Sequence, residues 1–186
     1  MTRLWTIGHS TRSLDEFTEA LKSFGVQVLV DVRRFPASRR NPQFKTDALK
    51  KGLHRAGIDY VYLGDELGGW RKAAGDSPNV GLRNTSFRGY ADWMRGATFR
   101  AGIAKLLKVA SASPMCVMCA ERPVSNCHRR LLADYVSLVH GVGVVDIYDR
   151  DEAVDHAPTP GVRRVPEGVV YEPPTKSNPL EAFDEP

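Results

Sequence analysis

Two cysteines, a histidine, a glutamate and three arginines fall within the thirteen residues MCAERPVSNCHRR, positions 118–130. Side chains of these types at this density suit three chemistries: attack or redox exchange by a thiolate, metal ligation, and proton transfer beside a bound anion. Cys127 and His128 fall at the first turn of a predicted helix, with Ser125 or Asn126 available as N-cap. A thiol there is favoured as thiolate by the helix dipole and by the cations that follow, Arg129 and Arg130. Cys119, at the end of the preceding predicted strand, is its partner for a disulfide or a shared metal. Glu121 is a candidate general acid or base, metal ligand, or anchor for Arg129. The plain alternative for Cys127 is a small buried residue packing the helix start.

Two coincidences of spacing are set aside. Cys116 and Cys119 lie three apart on one predicted strand, so their side chains face opposite sides and do not make a metal knuckle. Cys116 is read as a core residue. The Cys-x5-Arg spacing from Cys116 to Arg122 matches a phosphatase loop, but such a loop needs small, flexible residues around the phosphate, and VMCAE starts mid-strand and inserts a carboxylate.

A second concentration of chemistry is DVRRFPASRRNPQF, residues 31–44. Asp31 closes an apolar strand, where a carboxylate is costly unless paired or catalytic. Arg33, Arg34, Arg39, Arg40 and Lys45 surround Phe35 and Phe44. Basic residues interleaved with aromatics can grip a nucleic-acid backbone and stack a base, or clamp a nucleotide or phosphorylated metabolite. A proline-stiffened surface loop is the plain alternative. His9, at the end of the first predicted strand, is a candidate acid, base or ligand, and Arg12 adds a cation nearby. A metal site would draw on Cys119, Cys127 and His9. The neighbours Cys127 and His128 are not expected to reach one ion, so a tetrahedral set needs His9 or Glu121.

These residues must be positioned by alternating strands and helices. LWTIG reads as a strand, and SLDEFTEALKSFG as a helix opened by a Ser13–Glu16 capping box and closed at Gly25. VQVLVDV is a strand apolar enough to be buried on both faces. KTDALKKGLHRAG, DYVYL, RGYADWMRGATFRAGIAKLLKVA, PMCVMCA, NCHRRLLADYVSLVHG and VGVVDIYD continue the alternation, with the long helical stretch open to division at its glycines. The pattern predicts one doubly wound α/β domain over residues 1–155, with about five mainly parallel strands flanked by helices, flavodoxin-like or Rossmann-like in strand order. Ligands in such sheets bind beyond the carboxyl ends of the strands. Here those ends are residues 8–12, 31–44, 64–72 and 119–130, so both concentrations of chemistry are expected at one edge. From 156 to 186 the chain is proline-rich and acidic, and is expected to be an extended or partly disordered tail, or else a strap packed across the body with its acidic residues against the basic rim.

The chain of 186 residues is long enough for a full core without disulfide staples. Residues 1–150 carry 23 Lys and Arg against 14 Asp and Glu, and the remainder 3 against 8, so a basic body meets an acidic tail. That balance suits an anionic small molecule or nucleic acid as partner. No transmembrane stretch and no signal-peptide pattern is seen, and three cysteines, an odd number, favour reduced thiols. A cytoplasmic protein with no membrane partner is expected. No motif names a cofactor.

TIGHSTRSLDEF, LVDVRRFPASRRNPQF, YLGDELGG, FRGYADWM and CAERPVSNCHRRLLADYV closely resemble, in the same order, the family called domain of unknown function 488. The resemblance spans about residues 4–148 and implies a compact single-domain α/β protein carrying Asp31-x-Arg33 and Cys119-x-Glu121 followed by Cys127-His128-Arg129. It implies no particular reaction. The residues themselves favour an enzyme with Cys127 or Cys119 as nucleophile or redox thiol. His9, Glu121 or His128 would handle protons, and Arg33, Arg34 and Arg129 would hold an anion. A metal-binding protein and a non-catalytic nucleic-acid-binding module using the basic 33–45 loop are the alternatives.

Overall fold

The computed structural model describes residues 3–37 and 39–173. The apolar runs become a six-stranded sheet. Strands β1 (Arg3–Gly8), β2 (Val28–Asp31), β3 (Asp59–Tyr62), β4 (Met115–Cys119) and β5 (Gly143–Asp149) are parallel, and β6 (Glu152–Asp155) pairs antiparallel with β5. Their order is β3-β2-β4-β1-β5-β6. Every residue of β4 is buried, as a central strand covered on both faces must be.

Helices α1 (Leu14–Ser23) and α2 (Thr46–Arg55) cover one face. Helices α3 (Gly64–Leu67), α4 (Thr85–Met94), α5 (Ala97–Ala112) and α6 (Arg129–His140) cover the other. The expected doubly wound α/β domain is therefore present. Its strand order departs from both the flavodoxin and the Rossmann arrangement, because β4 stands between β2 and β1. The period of two along β4 sends Cys116 and Met118 to the α1–α2 side and Val117 and Cys119 to the other.

Local signals act as the sequence indicates. The Ser13 backbone N–H donates to Glu16 Oε2 at 2.7 Å and the Glu16 N–H to Ser13 Oγ at 3.2 Å, a reciprocal cap contributing about 1 kcal/mol to α1. The long helical stretch is divided, α4 ending at Met94 and α5 starting after Gly96. Gly141, at φ 66, closes α6 in the left-handed region.

The segment read as a tail from residue 156 is, through residue 173, laid against the body. It contains a hairpin of β7 (Val162–Val165) and β8 (Gly168–Tyr171), with Val169 and Tyr171 buried in the core beside α4 and α6. The rest of that tail, 174–186, lies outside the described residues. Among the described residues, no helix is long and apolar enough to cross a membrane.

Candidate active site

Because β1 to β4 are parallel, their carboxyl ends and the loops after them meet at one edge. The loop after β4 crosses directly over the end of β1. A Cβ at Gly8 would stand 1.7 Å from the Glu121 carbonyl oxygen, so only glycine fits. The backbone N–H groups of His9 and Ser10 donate to the carbonyls of Cys119 and Ala120 at 2.9 and 2.8 Å.

Beyond this crossing a 3-10 turn, Val124–Asn126, returns the chain to the strand end. Helix α6 starts at Arg129 with His128 as N-cap, so Cys127 sits one step ahead of the first helical turn to which the sequence assigns it. Its backbone is extended, at φ −125 and ψ 145, and that of His128 is helical, at φ −61 and ψ −16. This change of conformation turns both side chains toward Cys119. Cys119 Sγ and Cys127 Sγ lie 3.7 and 3.8 Å from the same atom, Nδ1 of His128. The three donor atoms are all within 4.8 Å of one another.

Arg129 lies beneath the cluster and is 1% exposed. Its Nε–H donates to Cys127 Sγ at 3.4 Å, Nη1 to Thr6 Oγ1 at 2.9 Å, and Nη2 to the Glu121 carbonyl at 2.6 Å. Burial opposes ionisation of Cys127. The adjacent Cys119 thiol, the neighbouring His128 ring and the Arg129 charge outweigh it, holding the Cys127 thiol well below the usual range. Cys119, beside that sulfur and itself buried, is pushed well above it. Of the two, Cys127 is the one favoured as thiolate. Cys116, buried on the opposite face, has its thiol pushed up by burial and takes no part.

Cys119, Cys127 and His128 line a cleft of about 250 Å3 walled by Trp70, Phe87 and Tyr90. A second cleft of about 510 Å3, lined by His9, Arg33, Phe35, Arg40 and Arg122, shares only the Ala120–Glu121 wall with the first. The expected edge thus holds two clefts back to back, and His9 stands on the far side of the wall from the cysteines. A metal set of Cys119, Cys127 and His9 does not form; His128 occupies the place assigned to His9.

Several residues picked from the sequence have their polar groups committed inside the protein. The Asp31 carboxylate accepts from Arg33 Nε at 2.9 Å and Nη2 at 2.7 Å, from the Arg33 backbone N–H at 3.0 Å, and from Tyr60 Oη at 2.9 Å. Arg33 Nη1 donates to the Phe44 carbonyl at 2.9 Å and points at His9 Nε2 at 3.3 Å. With His9 Nδ1–H on the Ser10 carbonyl at 2.8 Å, Nε2 is the acceptor. Burial lowers the His9 pKa to about 4, aided by Arg33, so the ring is neutral near pH 7. Arg12 staples β1 to β5 through the carbonyls of Gly8 and Tyr148. Arg34 Nη1 donates to the Trp70 carbonyl at 2.6 Å. Phe35 is 69% exposed. Glu121 anchors Arg129 through its backbone carbonyl, and its exposed side chain borders both clefts.

A buried polar chain that the sequence reading does not pick out continues from Arg129. Thr6 Oγ1 donates to Asp146 Oδ1 at 2.5 Å. His156 spans the other Asp146 oxygen, at 3.1 Å, and Asp134 Oδ1, at 3.0 Å, and Tyr171 Oη donates to Asp134 Oδ2 at 3.0 Å. Asp146 carries the same signal as Asp31, a carboxylate inside an apolar strand. Trp70, at φ 60 and 78% exposed, also goes unpicked, although its loop is among the strand-end segments.

The model of the family described as domain of unknown function DUF488 matches residues 13–136, well over half of the 186-residue chain. The chain belongs to this family. No curated protein and no solved structure matches it. The DUF488 match contains the three cysteines, His128 and Arg129, and leaves out Thr6, His9, Asp146, His156 and Tyr171. The chain of buried contacts beneath the cluster is thus completed by segments on either side of the matched region.

Proposed function

We propose that the protein is a thiol-dependent enzyme acting on an anionic substrate with a planar or apolar body, of the nucleotide, nucleic-acid or phosphorylated-metabolite class. One observation carries this reading. Cys127 Sγ, on the floor of an aromatic cleft, accepts the Arg129 Nε–H at 3.4 Å and has the Cys119 thiol and His128 Nδ1 beside it, and that arrangement favours its thiolate. In a displacement, Cys127 Sγ forms the new bond to the substrate. The leaving group departs with the bonding electrons and takes a proton from the Cys119 thiol, whose sulfur lies within 4.8 Å of Cys127 Sγ. Trp70, Phe87 and Tyr90 suit a planar group. The exposed Arg40, past the Ala120–Glu121 wall, suits its anionic end; Arg122 beside it is paired with Asp149 Oδ2 at 2.9 Å. A reduced thiol pair fits a cytoplasmic setting.

Site-resolved alkylation of chelator-treated, reduced protein tests the proposal. Cys127 is expected to react with iodoacetamide at pH 6 faster than free cysteine does, with Cys119 slower and Cys116 inert. If neither Cys119 nor Cys127 outpaces free cysteine between pH 6 and 7.5, the thiolate role is wrong.

A further inference from the structure

We propose that Cys119 Sγ, Cys127 Sγ and His128 Nδ1 bind one soft divalent cation, Zn2+ in the first instance, with a fourth coordination position open to the aromatic cleft. A tetrahedral ion with its usual bond lengths to thiolate and imidazole sets sulfur and nitrogen about 3.6 Å apart. The two sulfur–nitrogen separations here are 3.7 and 3.8 Å, and both converge on one nitrogen. A single thiol–imidazole pair would bring one sulfur to Nδ1; two at nearly equal distance describe the edges of a coordination polyhedron.

The surroundings suit the ion. Arg129 Nε–H already points at Cys127 Sγ, the outer contact that steadies a ligating thiolate. The imidazole is positioned by packing: Tyr90 meets its ring edge-on with centroids 4.9 Å apart. Gly69 lies over it, where a Cβ would come within 3.0 Å of Nδ1. Among the described residues, Nε2 of His128 has no hydrogen-bond partner, so no acceptor dictates which nitrogen keeps the proton. With the proton on Nε2, the Nδ1 lone pair faces both sulfurs. Two thiolates and one imidazole form a borderline-soft donor set, which selects Zn2+ over Mg2+ or Ca2+. All three ligands line the cleft, so the open position faces it.

Binding forms two sulfur–metal bonds and one nitrogen–metal bond. It releases to solvent whatever protons the ligating thiols hold and changes no oxidation state. The inference goes beyond the thiolate reading and does not depend on it, since a loaded cluster has no free thiolate.

The test is a titration of reduced, chelator-treated full-length protein with Co2+, followed by displacement with Zn2+. One Co2+ per chain is expected, with thiolate-to-metal charge-transfer absorption and the intense visible bands of tetrahedral cobalt. Cys116→Ser should leave this unchanged. Cys119→Ser, Cys127→Ser and His128→Ala should each weaken Zn2+ binding by about 100-fold or more while the far-ultraviolet circular dichroism stays native. The proposal is overturned if folded protein takes up no Co2+, if the cobalt spectrum is octahedral, or if the cluster variants bind as tightly as the parent. Alkylating the same metal-free sample separates the two readings. Fast Cys127 alkylation without metal uptake removes only the metal site, and metal uptake with a sluggish Cys127 removes only the nucleophile.

Discussion

Replacing His156 by glutamine should convert a pH-dependent part of the protein's stability into a constant one. The imidazole is 2% exposed and bridges Asp146 and Asp134 at 3.1 and 3.0 Å. Burial alone would lower its pKa; the two carboxylates outweigh burial and raise it to about 9. The unfolded chain titrates near 6.5, so below that pH both states hold the proton and the bridge contributes fully. As pH rises toward 9 the folded state keeps a proton that the unfolded state has released, and up to about 3 kcal/mol of stability is lost. Urea unfolding of parent and His156→Gln at pH 6, 7.5 and 9.5 measures this directly. The gap between them should be about 3 kcal/mol at pH 6 and shrink to about 1 kcal/mol or less at pH 9.5, where only neutral hydrogen bonds are lost. Titrating groups away from the Asp146–His156–Asp134 bridge are shared by the two proteins and drop out of the gap. A gap that stays constant across this range would mean that His156 is not a buried cation, and the reasoning about the chain beneath Arg129 would be wrong.

Other outcomes follow from the same geometry. The His9 pKa of about 4 acts in the opposite direction: the unfolded state gains a proton first as pH falls from 6.5, costing up to about 3 kcal/mol by pH 4. His9→Gln should flatten that acid limb in the same unfolding assay, and an unchanged limb would count against a neutral, buried ring. Arg129→Lys keeps the charge but loses the fork that holds Cys127, Thr6 and Glu121. It should cost about 2–3 kcal/mol in urea unfolding and move the Cys127 alkylation profile to higher pH, whereas wild-type values in both would contradict the placement of the guanidinium. Gly8→Ala drives a methyl group into the Glu121 carbonyl. It should lower the thermal midpoint sharply or prevent folding, and a wild-type midpoint would show that the loop does not cross β1 so closely.

Periodicity and caps place the helices of the domain because these are short-range properties: Ser13 and Glu16 meet three residues apart, and the apolar run ending at Asp31 is buried wherever it sits. The gathering of strand ends at one edge follows from parallel pairing alone. Strand order does not follow, because inserting β4 between β2 and β1 is decided by contacts more than eighty residues apart in the chain. The β7–β8 hairpin has two strands of four residues, and only the buried Gly168–Tyr171 half has an apolar signal. At the site, residue types are legible and directions are not. The spacing of Cys127 and His128 argues against a shared focus until the backbone switch between them is known. The arginines show the same limit in reverse. Arg12, Arg33 and Arg129 advertise anion binding by type, but each spends its hydrogen bonds on internal carbonyls, a carboxylate or a hydroxyl.

The position of β1 has a consequence for how the chain is made. Strand β1 leaves the ribosome before the other described strands yet lies between β4 and β5, and its partners begin at Met115 and Gly143. At synthesis rates of about 5–20 residues per second, LWTIG waits roughly 5–20 s before the first of those partners exists. During that interval β2, β3, α1 and α2 can assemble without it. Completion of the sheet therefore waits for β4 and β5, and the cluster over Gly8 takes shape only when that step is finished.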